Sequence, residues 1–417
     1  MHICLVTSGR PSELPIGGEE RFTLSFGYWL ACHGDAVTVV GRRLFGAEVM
    51  KIEKSDNPPL KLMHPGAHGV STNPATLNLP YFIYAVGMLL TSMLFVLRII
   101  AVNRRSRLSI IHAQDTGYGG LSAILSARIL RLPVIISSHG VRYVTLSKTL
   151  NGISQKFLLA FEHWLDIITT KSADLVIVVS TSTMGHFAAL GITKRKLKLI
   201  PIGVEISKFT VCNRVRETLR KELDVQNNFV IGFVGRFSVE KNLFTLLEAF
   251  AQASKHHDEM KLILVGTGQM AEELKGIARN RGLNNRILFT GIRYDVYRLL
   301  PAFDLFILPS YTEGCPTALI EAMSSGKAII ASAIPSIIEI VGDSEDAILV
   351  NPYDAEELKR AILLLYNNPS LRTKLGRRAK EGAKLYDIDK VYRRISKVYE
   401  EIVRCRAKQY VAKESRN

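Results

Sequence analysis

Cysteine is scarce and shows no pattern. Cys4, Cys32, Cys212, Cys315 and Cys405 are scattered, odd in number and never in a C-x-x-C spacing. That argues against a disulfide framework and a thiolate zinc site, and fits a reducing cytosol. Low-complexity segments are absent, and nothing repeats beyond a shared strand–helix rhythm. No basic block is interleaved with aromatics and no nucleic-acid motif occurs, which sets DNA and RNA aside as partners. A signal peptide is not visible either. Met1 to Ser8 is a short apolar run without a basic flank and reads as a first buried strand.

What is present is an ordinary globular composition, 47% apolar and 22% charged. At 417 residues the chain is long for one core, so two domains are expected. The net charge is +16, shared as +9 over residues 1–205 and +7 over 206–417. An excess of cations in both halves suits an anionic partner such as a nucleotide or an acidic membrane surface.

Apolar runs of strand length recur along both halves. In the first they include Ile3–Val6, Val37–Val40, Leu108–Ala113, Pro133–Ser138, Leu175–Val179 and Leu199–Val204. In the second they include Phe229–Val234, Leu262–Val265, Arg286–Thr290, Leu305–Leu308, Ala328–Ala331 and Ala347–Val350. Helical spacing fills the gaps, so the pattern predicts two α/β domains with parallel sheets. The charged stretch Val211–Gln226 marks the junction. The expected division is 1–205, 206–385 and a basic amphipathic tail helix in 386–417. The acceptor would be chosen by first-domain loops near 42–78 and 140–160.

In such sheets ligands bind beyond the C-terminal strand ends, and four places there carry chemistry. Gly17-Gly18-Glu19-Glu20-Arg21 follows the first strand; the glycines either admit a phosphate or sugar to the backbone or simply make a tight loop. His139-Gly140 ends the strand from Pro133, where the histidine is either structural or catalytic. Arg236 and Lys241 bracket a strand-to-helix turn, as a diphosphate cradle or as solvated surface charges. Glu313 and Glu321 flank the start of a helix opening at Pro316, placed to hold hydroxyls of a sugar or ribose whose phosphates sit on the helix end. Asp387-Ile388-Asp389 is a D-x-D string, but it lies in the helical tail and reads as a helix start, so no metal is expected.

Leu79–Val102 is the most hydrophobic stretch, followed by Arg104, Arg105 and Arg107. Its length nearly spans a bilayer. The strands before and after it must join one sheet, which excludes a crossing. Two readings remain, a helix packed wholly on the sheet and one that also dips a face into lipid.

Taken together, Gly17-Gly18-x-Glu20-Arg21, His139, Gly235-Arg236 with Lys241, and Glu313-Gly314-x-Pro316 through Glu321-Ala322 resemble the retaining GT-B glycosyltransferases of family four. The resemblance covers nearly the whole chain. It implies two Rossmann-like domains facing a cleft, with the tail helix crossing back to the first. It implies a nucleotide-diphosphate sugar as donor, a glycan or lipid-linked acceptor, no cofactor and a cytoplasmic site, on the inner face of the membrane if peripheral. Arg236 and Lys241 would hold the diphosphate, Glu321 the ribose and Glu313 the donor sugar. Backbone of Gly314, Cys315, Pro316, Thr317 and Ala318 would line the sugar and phosphate. Gly291 and Ile292 would meet the base, Gly17 and Gly18 the phosphates, and His139 the sugar near the reacting carbon. The leaving phosphate itself would take the acceptor's proton, so Glu313 is not assigned as nucleophile. Asn242 and Ile202 depart from the family pattern, standing where it favours glycine and asparagine. A sugar-nucleotide epimerase of the same fold and a non-catalytic scaffold of a polysaccharide assembly complex are the alternatives.

Overall fold

A computed structural model describes residues 1–8, 18–43, 46–53, 81–140, 153–209, 213–342 and 346–414. Gly17 lies outside them, as does most of the stretches 42–78 and 140–160 expected to select the acceptor.

The chain forms two compact units. One holds the described residues up to Pro201 together with those from Val391 onward; the other holds the described residues from Ile202 to Lys390. The division expected after residue 205 therefore falls four residues earlier, and the tail expected from 386 changes unit only at Val391. Hydrogen bonding explains both shifts. Val204 bridges Asp387, its N–H donating to the Tyr386 carbonyl at 2.8 Å while its own carbonyl accepts from Ile388 at 3.0 Å. The segment after Pro201 is thus stitched to the segment before the tail helix inside one unit.

The first unit is built on β1 (His2–Val6), β2 (Ala36–Arg43), β3 (Gly46–Ile52), β4 (Ile110–Ala113), β5 (Val134–Ser138), β6 (Leu175–Val178) and β7 (Leu197–Leu199), ordered 3-2-1-4-5-6-7. All neighbours are parallel except β2 and β3. β3 occupies part of the stretch expected to be acceptor loop. The strand expected at Leu199–Val204 is instead β7, ending at Leu199; Pro201 lacks the N–H a ladder needs. The second unit has β8 (Phe229–Val234), β9 (Met260–Val265), β10 (Ile287–Gly291), β11 (Leu305–Leu308), β12 (Ala328–Ser332) and β13 (Ile348–Val350), all parallel and ordered 10-9-8-11-12-13. Both sheets reverse direction of growth beside their first strand, between β1 and β4 and between β8 and β11. That reversal opens a crevice at the C-terminal ends. Strands such as β4, β5, β8, β11 and β12 are buried throughout, as parallel strands covered on both faces must be.

Strand alternation gives the first sheet two different faces. Cys4, Val6, Ile111, Ala113, Val134 and Ile136 share one core cluster with Phe95 and Ile99 of the helix Tyr81–Arg105 and with Ala123 of the helix Tyr118–Leu130. On the other face the helix Gly18–Cys32 meets the C-terminal helix Ile388–Glu414. Phe26 packs 4.8 Å from Tyr392 and 5.9 Å from Tyr399, ring to ring, and Tyr392 donates to Ser25 at 2.9 Å.

The helix Tyr81–Arg105 has a second apolar face that nothing in the described structure covers. Leu90 is 59% exposed, Met93 65% and Leu97 63%, next to Ile129 at 60% on the neighbouring helix. Trp164 and Ile168 of the helix Ile153–Ser172 are exposed as well. By length and composition Val86–Arg105 could cross a membrane. However, β2 before it and β4 after it both pair with β1, so its two ends serve one sheet. Among the described side chains of these three helices the only acids, Glu162 and Asp166, are buried, while Arg98, Arg104, Arg105, Arg128 and Lys171 are exposed.

Candidate active site

In the second unit the loops leaving β8 and β11 meet across the sheet reversal. Lys241 ends a short 3-10 turn after β8, and its Nζ lies 2.6 Å from Oε1 of Glu313, in the loop after β11. Ser310 donates to the same carboxylate oxygen at 2.7 Å. The Glu313 side chain is only 8% exposed and that of Lys241 19%, so the pair is poorly screened and stronger than a surface ion pair. Backbone bonds lock the two loops together: Tyr311 N–H donates to the Glu240 carbonyl at 2.9 Å. Ser238 donates to the Glu240 carboxylate at 2.6 Å, which steadies the turn from the other side.

Asn242 explains its own departure from glycine. It stands at φ 54°, ψ 42°, the left-handed region that asparagine tolerates better than other non-glycine residues. Its amide donates to the carbonyls of Pro309 at 3.0 Å and Pro352 at 2.6 Å, and its oxygen accepts from Thr245 at 2.7 Å. The residue thus makes the turn out of Lys241 and ties it to the β11 loop.

Two glycines after β9 set the course of the Arg236 loop, and the motif reading missed them. Gly235 N–H donates to Val265 and Phe237 N–H to Thr267, at 3.0 and 2.9 Å, extending the sheet pattern past the strand ends. A Cβ at Gly266 would lie 1.9 Å from the Gly235 carbonyl, and one at Gly268 would lie 2.3 Å from that of Phe237. Gly266 also stands at φ +134°. The signal was available in Gly266-Thr267-Gly268 directly after a strand, but close backbone approach is invisible in sequence. Gly291 joins this group, its carbonyl accepting from Gly266 N–H at 2.8 Å, with Ile292 next to it. Arg236 is exposed and makes no ion pair among the described residues.

The helix Thr317–Ser324 starts four residues after Glu313, with Pro316 at its cap and no side chain bonding its first amides. Leu319 N–H is the first to find a carbonyl, that of Pro316 at 3.1 Å. Among the described residues the amides of Thr317 and Ala318 find no acceptor, and the helix dipole favours a negative one there. Glu321 is buried one turn further in. Cys315 is buried, and burial pushes its thiol up to about 12, so it is not a thiolate nucleophile. Arg236, Lys241, Gly291, Ile292, Glu313 to Ala318 and Glu321 therefore share one edge of one sheet.

The first-unit residues form a separate group. Gly18 opens the helix Gly18–Cys32. His139 follows β5, its Nε2 3.2 Å from Gln114 Oε1 and its ring edge-on to Phe22 at 5.1 Å. Burial holds its pKa down at about 4, so the ring is neutral near pH 7. Asp387 accepts from the Asp389 N–H at 3.1 Å, as a helix start does. Among the described residues no three of His, Cys, Asp and Glu converge as a metal site.

Comparison with known proteins agrees with this architecture. Residues 16–208 match the family described as Glycosyltransferase Family 4, and residues 215–382 match Glycosyl transferases group 1. The N,N'-diacetylbacillosaminyl-diphospho-undecaprenol alpha-1,3-N-acetylgalactosaminyltransferase of Campylobacter jejuni is 27% identical over 289 residues, covering 67% of this chain and 74% of its own. A sucrose-phosphate synthase of Thermosynechococcus elongatus superimposes with a TM-score of 0.78 at 21% identity, over 97% of this chain and 99% of its own. The Anabaena protein HepE, solved with UDP and glucose, gives 0.73 at 20% identity, over 96% and 100%. These two structural likenesses concern the fold, which is GT-B.

Proposed function

This chain belongs to the group 1 glycosyltransferases of the GT-B fold, and on that footing we propose that it is a retaining, metal-independent enzyme using a UDP- or GDP-sugar. Its acceptor is a glycan or lipid-linked molecule of cell-envelope polysaccharide or glycolipid synthesis. The observation that carries this reading is the Lys241–Glu313 pair at the sheet reversal, 2.6 Å apart and beside an uncapped helix end. A diphosphate arriving there meets one ammonium, the Arg236 guanidinium and two open amides. As the sugar's anomeric C–O bond breaks, negative charge grows on the diphosphate, and preorganised donors stabilise it most at that moment. The acceptor hydroxyl forms the new bond on the same face and gives its proton to the departing phosphate. Glu313, released from Lys241, takes hydroxyls of the donor sugar, and Glu321 those of the ribose. In the first unit, His139 takes a hydroxyl of the sugar. The Campylobacter relative, with its undecaprenol-linked substrate, and HepE, with UDP and glucose, support the acceptor and donor classes.

The protein works against the inner face of an anionic membrane, where lipid-linked acceptors lie. In support, the exposed apolar face around Leu90, Met93 and Leu97 is flanked by arginines with no exposed acid among the described residues of its three helices. Each basic side chain near such a surface contributes about 1 kcal/mol. Cosedimentation with anionic vesicles at low salt tests this: binding is expected, with Leu90→Asp/Met93→Asp weakening it at least about tenfold. No binding by the unaltered protein would sink it. For the reaction, a panel of nucleotide sugars is followed by nucleoside diphosphate release, with and without membrane lipid extract. One donor is expected to react only when extract is present. Conversion of a nucleotide sugar to its epimer without release would replace this reading with an epimerase.

A further inference from the structure

Five side chains of the first unit are joined by hydrogen bonds that lead from the C-terminal helix to His139. Tyr399 OH lies 2.5 Å from Nδ1 of His112, on β4. His112 Nε2 lies 2.8 Å from Ser137 Oγ, on β5. Gln114 places its Nε2 3.2 Å from His112 Nδ1 and its Oε1 3.2 Å from His139 Nε2. Tyr399, His112, Gln114 and Ser137 are all buried. The Gln114 backbone is fixed as well, its N–H donating to Val6 at 2.8 Å.

The direction of every bond follows from one hydrogen. The Tyr399 hydroxyl has no other hydrogen-bond partner among the described residues, and a buried O–H left without an acceptor costs about 1–3 kcal/mol. It therefore donates to His112 Nδ1. That nitrogen must then carry a lone pair, so a neutral His112 holds its hydrogen on Nε2 and gives it to Ser137. With a lone pair on Nδ1, Gln114 turns its amide nitrogen toward His112 and its oxygen toward His139. An oxygen can only accept, so His139 carries its hydrogen on Nε2. The remaining ring nitrogen, Nδ1, is buried and without a partner in the described structure. As a lone pair, it can accept a hydrogen bond and cannot donate one.

We infer that Tyr399 is a positioning residue that sets the tautomer of His139 through His112 and Gln114, making His139 Nδ1 an acceptor for a hydroxyl hydrogen of the sugar. The second half of this statement rests on the assignment of His139 to the sugar made above; the first half does not. If the tyrosine hydroxyl is removed, His112 is free to reverse. Its Nδ1–H form would turn Gln114 around and present the amide nitrogen to His139. His139 would then hold its hydrogen on Nδ1 and repel a hydroxyl donor.

The test uses the full chain labelled with nitrogen-15 at histidine, with the two-bond proton–nitrogen pattern of His139 identified through His139→Gln. The unaltered protein is expected to show one form, hydrogen on Nε2. Tyr399→Phe, and independently Gln114→Leu should the first fold poorly, is expected to show a mixture. In Tyr399→Phe, kcat is expected to fall about five- to twentyfold, with the donor KM moving less than about twofold. An Nδ1–H form in the unaltered protein would overturn the inference. So would a folded Tyr399→Phe protein whose His139 stays wholly in the Nε2–H form. A tautomer result as expected, combined with a His139→Ala protein of unchanged kcat, would leave the relay standing and remove the sugar contact instead.

Discussion

At the C-terminal edge of the second sheet the polar groups are charged: Lys241 against Glu313, with Arg236 exposed nearby. At the same edge of the first sheet the groups around His139 are neutral, with His112 and His139 held unprotonated by burial and linked through the amide of Gln114, while the nearby acid Asp115 accepts from the Gly117 N–H at 2.8 Å. The sheets share the strand order 3-2-1-4-5-6, so the contrast does not come from topology. It comes from what each edge is placed to hold. A diphosphate needs fixed cations and open amides. A sugar hydroxyl needs oriented neutral donors and acceptors, which discriminate by leaving the wrong partner unpaired.

The largest expected effect breaks the charged side. Lys241→Ala is expected to lower kcat/KM by about a thousandfold, near 4 kcal/mol, since it removes a cation from the leaving group. Lys241→Arg should recover part of that. His139→Ala, on the neutral side, should cost only about ten- to thirtyfold, the scale of one neutral hydrogen bond. Steady-state release of nucleoside diphosphate measures both. Equal losses would mean that the charged and neutral edges are not divided as argued.

A second pair of substitutions compares how tightly the two edges are built. A methyl at Gly268 would stand 2.3 Å from the Phe237 carbonyl, which is already bonded to Met270 N–H at 3.0 Å and has no room to retreat. Gly268→Ala is expected to destabilise the protein by about 2–4 kcal/mol, read as a fall in Tm. Gly140, beside His139, has no described atom within 4 Å of where a Cβ would be. Gly140→Ala should therefore stay within about 0.5 kcal/mol. A similar fall in Tm for both would show that the first edge is packed as closely as the second.

Acid should find the first unit before the second. His112 is held down to about 3 by burial and by the nearby His139, and His139 to about 4 by burial, against an ordinary 6.5. Once unfolded, both take up protons as pH falls through 6.5, while the folded rings do so only near 4 and 3. The unfolded state binds more protons across that window, so stability present above pH 6.5 is lost as pH falls. Each histidine contributes a slope of about 1.4 kcal/mol per pH unit. Thermal unfolding between pH 7 and 4.5 should show His112→Gln with a visibly shallower decline than the unaltered chain. Parallel declines would mean that the histidines are not the acid-sensitive groups.

How much of this was legible before the structure depended on how local the cause is. Buried parallel strands appear as apolar runs, so nearly every strand and the placement of Arg236, Lys241, Glu313 and Glu321 at strand and helix ends could be read directly. β3 could not, because Gly46–Ile52 pairs antiparallel on an edge and mixes Glu48 and Lys51 with its apolar residues. The second face of the helix Tyr81–Arg105 was hidden too: a helix apolar all round carries no periodicity to say which side is covered. Tyr399 and His112 are 287 positions apart, and no spacing rule connects them. Glu321 illustrates the middle case, since its helix position was readable but its burial was not.

The smallest expected effect concerns Asn242, where the sequence departs from the glycine the family favours. Glycine would adopt φ 54° with no steric cost, but it would lose the amide bonds to Pro309 and Pro352 and the acceptor for Thr245. These two terms oppose each other. A net loss of about 1–2 kcal/mol is expected for Asn242→Gly, because a buried carbonyl left unpaired costs more than the left-handed backbone does. The Lys241–Glu313 pair has its own tie through Tyr311 N–H and Glu240, so kcat should stay within about twofold. Tm and kcat measured on one preparation separate the two possibilities. If kcat fell tenfold while Tm barely moved, Asn242 would be aiming Lys241 rather than bracing the loop, and the charged edge would rest on the asparagine amide as the neutral edge rests on Gln114.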